Sequence, residues 1–89
     1  MKIPKKVKIG AVTYKVIEAE KWPDSGDIDG MLDLETNTIY IQTKLSQEAK
    51  EVTFFHECFH AMYSTMNLEF LDSFTEQLYQ LLKENNLIR

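Results

Sequence analysis

The chain has two histidines, and both fall in His56-Glu57-Cys58-Phe59-His60. On an α-helix, positions four apart lie about 40° apart on one face, one turn above the other. Two imidazoles so placed can each point a nitrogen at one divalent cation, with Zn²⁺ the first choice at about 2.0–2.1 Å. Glu57 projects about 100° round from His56, beside the cation rather than onto it. A carboxylate there can take a proton from a cation-bound water, whose pKa the metal lowers to about 7. H-E-x-x-H on a helix is therefore a signature of metal-assisted hydrolysis.

Catalytic sites of this type usually take three protein ligands. With no third histidine, the third must be a carboxylate or Cys58. Cys58 is two residues from each histidine, so it faces away and reads as a small buried hydrophobe. The acids of the following segment are Glu69, Asp72 and Glu76. Asp72 lies nearer the apolar stripe of that segment and is favoured, with Glu76 as the alternative and Glu69 behind both. Each of the first two has a local role open to it: Asp72 as an N-cap, Glu76 as the far end of a capping box from Ser73.

The elements that must hold these groups follow from periodicity. Residues 46–66 contain no Gly or Pro, and Ser46 with Glu48 opens a helix. Val52, Phe55, Phe59, Met62, Tyr63 and Met66 form its main apolar stripe, and Phe54, Cys58 and Ala61 form a second. A helix apolar on two sides is expected to lie between a sheet and another helix. That other helix is predicted over residues 71–84, with Leu71, Phe74, Leu78, Leu81 and Leu82 inward. The connection at 67–70 is short enough to make the pair antiparallel.

Upstream, residues 7–17 alternate in β-branched fashion around Gly10, with lysines on the opposite face. Residues 31–34 and 38–42 read as a second hairpin. Residues 20–30 form an acidic loop whose spacing only loosely resembles a Ca²⁺ loop and lacks its closing glutamate; Trp22 is placed to anchor it. The expected fold is α+β: a small antiparallel sheet of three to four strands packed on two antiparallel helices, residues 1–89 forming one domain. The strand at 38–42, which runs directly into the histidine helix, is the candidate edge for pairing with an extended substrate. Tyr63 and Tyr79 are candidates for steadying an oxyanion, against the plainer reading of core aromatics.

Composition narrows the function. A formal net charge of −4 argues against a nucleic-acid partner. The lysines before Glu18 lack the interleaved aromatics and arginines of a nucleic-acid arm. One cysteine excludes an internal disulfide. No run reaches the roughly 18 apolar residues of a membrane span. No signal segment is read at the start, so a cytoplasmic protein is expected.

Three stretches together carry a resemblance: Thr38-Ile39-Tyr40-Ile41, then Thr53-Phe54-Phe55-His56-Glu57-Cys58-Phe59-His60-Ala61, then Leu78-Tyr79-Gln80-Leu81-Leu82-Lys83-Glu84-Asn85. From about residue 30 onward the chain resembles minimal phage and prophage zinc peptidase-like proteins related to the ImmA/IrrE metallopeptidases. The resemblance implies zinc held by His56, His60 and an acid of the next helix, with Glu57 as general base. Counted back from Leu78-Tyr79-Gln80-Leu81-Leu82, that acid falls on Asp72, where the family more often carries Glu. It further implies a bacterial or phage-infected cytoplasm and a peptide or protein substrate, in some members a regulatory protein. Two other readings stay open: a peptidase-like metal-binding module acting through protein contacts, and a metal-free domain with incidental histidines.

Overall fold

The computed structural model describes residues 1–23, 25 and 28–88. Asp24, Gly26 and Asp27, which carried much of the Ca²⁺-loop spacing, lie outside them. Strands β1 (Lys6–Ile9) and β2 (Val12–Ala19) form the first hairpin, in register Lys6↔Lys15 and Ile9↔Val12. Its turn uses Gly10 at φ +62°, which a residue without Cβ adopts at little cost. Tyr14 and Val16 face the core, while Lys6, Lys8 and Lys15 face water. Strands β3 (Gly30–Asp33) and β4 (Thr38–Gln42) form the second hairpin. There Asp33 Oδ1 accepts from the backbone N–H of Glu35 at 2.9 Å and of Thr36 at 3.3 Å, folding its own turn.

The sheet order is β1-β2-β4-β3. The expectation of a purely antiparallel sheet is corrected here: β2 and β4 pair in parallel, Val16 opposite Ile39. The chain leaves the end of β2 and enters β3 one strand position further out, and β4 returns through the space between them. Ile39 and Ile41 are fully buried, so the most apolar strand takes the centre of the sheet. It follows that β4 is not an edge. The outer strand on this side is β3.

Helices α1 (Gln47–Met62) and α2 (Leu68–Glu84) pack antiparallel. Ser46 Oγ accepts from Ala49 N–H at 3.1 Å, the expected cap. α2 starts before residue 71 because Asn67 Oδ1 accepts from Phe70 N–H at 3.0 Å. Asp72 and Ser73 are therefore inside the helix and cap nothing, and the capping box through Glu76 does not form. Ser73 Oγ instead accepts from Gln77 Nε2 at 2.7 Å.

α1 lies between the sheet and α2. Phe54 and Cys58 join Ile3, Tyr14, Val16, Ile39 and Ile41 in the core. Phe55 and Phe59 turn toward α2, meeting the rings of Tyr79 and Phe74 at 6.3 and 5.5 Å. The stripe read as secondary is thus the deeper one, and Met62 and Tyr63 at the end of the main stripe are exposed. In α2 the buried positions are Leu71, Thr75 and Tyr79; Leu81 and Phe70 lie largely on the outer side, and Phe74 sits between, packed on Phe59 but 41 % exposed. Trp22 is buried and stacks on Tyr40 at 5.3 Å, anchoring the loop as expected. No helix of the described residues is long and apolar enough to cross a membrane.

Candidate active site

His56, Glu57, Asp72 and Glu76 line one cleft of about 250 Å³, closed on its third side by Asp29 and Gly30. α1 supplies the first pair, α2 the second, and the start of β3 the last. Gly30 lets the strand lie directly on the helix. A Cβ there would meet Thr53 Cγ2 at 2.5 Å and the Tyr40 carbonyl oxygen at 2.8 Å. Glu57 Cγ is only 3.7 Å from the same point, so the glycine sets how near the strand comes to the catalytic candidate.

Glu57 is 5 % exposed, and its Oε2 has no hydrogen-bond partner among the described residues. Burial pushes its carboxyl up to about 7, into the range where a general base both accepts and releases a proton. An unpartnered carboxylate oxygen at that depth is costly, which marks a group kept for something the chain itself does not provide. His56 Nε2 lies 3.7 Å from Glu57 Oε1, and His56 Nδ1 lies 3.1 Å from Asp72 Oδ1. Burial lowers the His56 pKa, Asp72 opposes that, and His60 adds to it. The net shift favours neutral imidazole, the form that ligates a metal. Cys58 is buried as expected, and burial and Glu57 push its thiol up to about 12.

The residues expected to act together are not all gathered to the same degree. His60 is half-buried one turn beyond His56, with ring centres 6.4 Å apart and ring planes at 80°. It does not line the cleft that holds the other four. Among the described residues no three His, Cys, Asp or Glu side chains stand arranged to hold an ion. The donor types nevertheless fit a divalent cation: two imidazoles on one helix, one of them disfavouring its proton, beside a buried carboxylate with a free oxygen. Asp72 approaches His56 from the Nδ1 side, where a carboxylate orients a metal-binding histidine. Glu69 stays outside the cleft.

Two acids were missed by sequence reasoning. Asp29 borders the cleft, and nothing in the loop pattern singled it out. Glu51 is 2 % exposed and accepts from Tyr79 Oη at 3.0 Å, Gln47 Nε2 at 3.0 Å and the Met1 amino group at 3.4 Å. Its position did carry a signal, since residues 51, 54, 58 and 61 recur at helical spacing. Tyr79, with its hydroxyl committed to Glu51, is a core residue rather than an oxyanion donor. Tyr63 caps the end of α1 and is exposed. No family model, curated protein or solved structure matches this chain.

Proposed function

We propose that the chain is a zinc-dependent peptidase, akin to the ImmA/IrrE group, in which Glu57 is the general base. The observation that carries this reading is Glu57 itself: buried, unpartnered at Oε2 and open to a cleft flanked by His56 and Asp72. His56, His60 and a carboxylate of α2, Asp72 ahead of Glu76, are the residues that would hold the ion. When bound, Zn²⁺ supplies a polarised carbonyl and an acidified water. Glu57 takes the proton of the attacking water at its free oxygen and delivers it to the leaving amine nitrogen. Before an ion binds, Asp72 holds the His56 ring through Nδ1 at 3.1 Å. The strand available to an extended substrate is β3 rather than β4. Asp29 already bonds across to β4 through its carbonyl, at 2.8 Å from Gln42 N. Strand alternation then directs the backbone groups of Gly30 and Leu32 to the open side. On this reading the protein works in a bacterial or phage-infected cytoplasm on a peptide or protein, regulatory proteins included.

The decisive experiment pairs metal analysis with casein hydrolysis for wild type and Glu57→Gln. The variant is expected to hold its zinc and to lose roughly 10²–10⁴-fold in rate. Equal activity would remove Glu57 as the base. A second reading is a metal-binding module without proteolysis, favoured by the absence of a preformed three-ligand cluster among the described residues. Wild type that holds zinc but leaves every peptide intact would select it.

A further inference from the structure

We propose that the cleft selects a basic side chain of its peptide, with Asp29 and Glu76 as the recognising carboxylates. The inference rests on the peptidase reading and names its substrate class. Four carboxylate residues line the cleft, Asp29, Glu57, Asp72 and Glu76, and among its described lining residues there is no Lys or Arg. Glu57 and Asp72 are taken up by the proposed chemistry. Asp29 and Glu76 are exposed, come from the start of β3 and from α2, and have no partner of opposite charge within ion-pair distance among the described residues.

The acidity continues beyond the cleft. Asp29, Thr53 and Glu76 also line a neighbouring groove of about 550 Å³, which adds Glu48 and Glu84. The one base there, Lys83, has its Nζ 3.7 Å from buried Glu51 and so is drawn inward. A peptide lying along α1 and α2 therefore meets four carboxylates in that groove, with Lys83, held toward Glu51, as the one cation among its described lining residues. Glu57 Oε2 is the independent sign that this cleft receives a ligand. Glu57 lines this cleft while only 5 % exposed, and no donor among the described residues reaches that oxygen. Recognition by two partly solvated carboxylates is worth a few-fold in affinity each, so together they discriminate on the order of tenfold.

The test uses the full chain as Glu57→Gln, loaded with zinc, and fluorescein-labelled Ala-Ala-Lys-Lys-Ala-Ala beside its Gln-Gln and Glu-Glu counterparts. Affinity is read by fluorescence anisotropy, and zinc content is measured on the same sample. The Lys peptide is expected to bind about tenfold tighter than the Gln peptide, with the Glu peptide weakest. Adding Asp29→Asn and Glu76→Gln should shrink the preference to threefold or less, with unchanged melting temperature. Equal binding of Lys and Gln peptides by a zinc-loaded sample would overturn the proposal and leave the metal site standing. A preference untouched by the two substitutions would overturn it as well, since its source would lie elsewhere on the acidic surface. Loss of zinc in Glu76→Gln would remove Glu76 from recognition. A sample without zinc that still prefers lysine would sink the peptidase reading and not the cationic specificity.

Discussion

His56 Nδ1 and Asp72 Oδ1 stand 3.1 Å apart, joining α1 to α2 at the mouth of the cleft. The Asp72 side chain is 63 % exposed and that of His56 26 %. A pair so open to water adds little to stability. Its value is directional: it fixes which way the imidazole faces.

Asp72→Ala should therefore act on metal affinity far more than on the fold. Isothermal titration with zinc is expected to show at least a 10–100-fold loss of affinity, because a proposed ligand is removed and even an orienting partner costs that much. Glu76→Ala should bind zinc like wild type. Reversed results would make Glu76 the third ligand and give Asp72 no part in holding the ion. In wild type, EDTA should lower the melting temperature on the order of 10 °C when zinc exceeds its Kd a hundredfold. An unchanged melting temperature would favour the metal-free domain.

The metal-free protein should lose stability between pH 4.5 and 7. Glu57 has its carboxyl pushed up to about 7 in the fold, against 4.5 when unfolded. Folding then takes up a proton in that interval. The Glu57 contribution is full below 4.5, falls as pH rises, and levels off above 7, a change of about 3 kcal/mol. His56, whose pKa is lowered from 6.5, works in the opposite sense below that value. Urea midpoints in EDTA should thus decline less steeply in Glu57→Gln. Parallel curves for the two proteins would contradict this.

Tyr79→Phe should destabilise by about 1–3 kcal/mol, because a buried carboxylate loses a donor. The Glu51–Tyr79 bond of 3.0 Å spans α1 and α2 beneath the groove. Burial of Glu51 opposes its ionisation, but bonds from Gln47, Tyr79 and the Met1 amino group prevail and hold its pKa below 4.5. Its stabilisation is therefore present above 4.5 and lost as pH falls through the lowered value. Thermal melts at pH 7 and pH 3 should differ less for Tyr79→Phe than for wild type.

Gly30→Ala should cost about 1–3 kcal/mol through overpacking. The new methyl group meets both a side chain and the Tyr40 carbonyl oxygen, and the carbonyl cannot swing aside. Thr53→Ser in the same chain relieves the first contact only, so chemical denaturation should show partial rescue.

What sequence could and could not reveal follows from the range of each interaction. The histidine helix was legible because its cap, apolar spacing and H-E-x-x-H are all local. Both hairpins were legible for the same reason. The parallel seam between β2 and β4 was not, since alternation tells which face of a strand is buried but not which edges meet. The start of α2 was misplaced because Leu68 and Phe70 are exposed, which hid the Asn67 cap from an argument based on burial. Thr75, Tyr79 and Glu51 put polar atoms into the helix interface; the stripe of Phe54, Cys58 and Ala61 points to the position of Glu51 but not to a buried carboxylate there.

The seam between β2 and β4 also bears on how the molecule is assembled. Each hairpin can close on its own, quickly, from neighbours in the chain. Joining them requires residues far apart in sequence to find a parallel register, which is the slow kind of encounter. β3 reaches α1 as part of the second hairpin, so the cleft draws its lining from that hairpin and the two helices and from neither strand of the first. A substitution at Val16 or Ile39 should therefore slow the joining of the two hairpins while removing no group from the cleft.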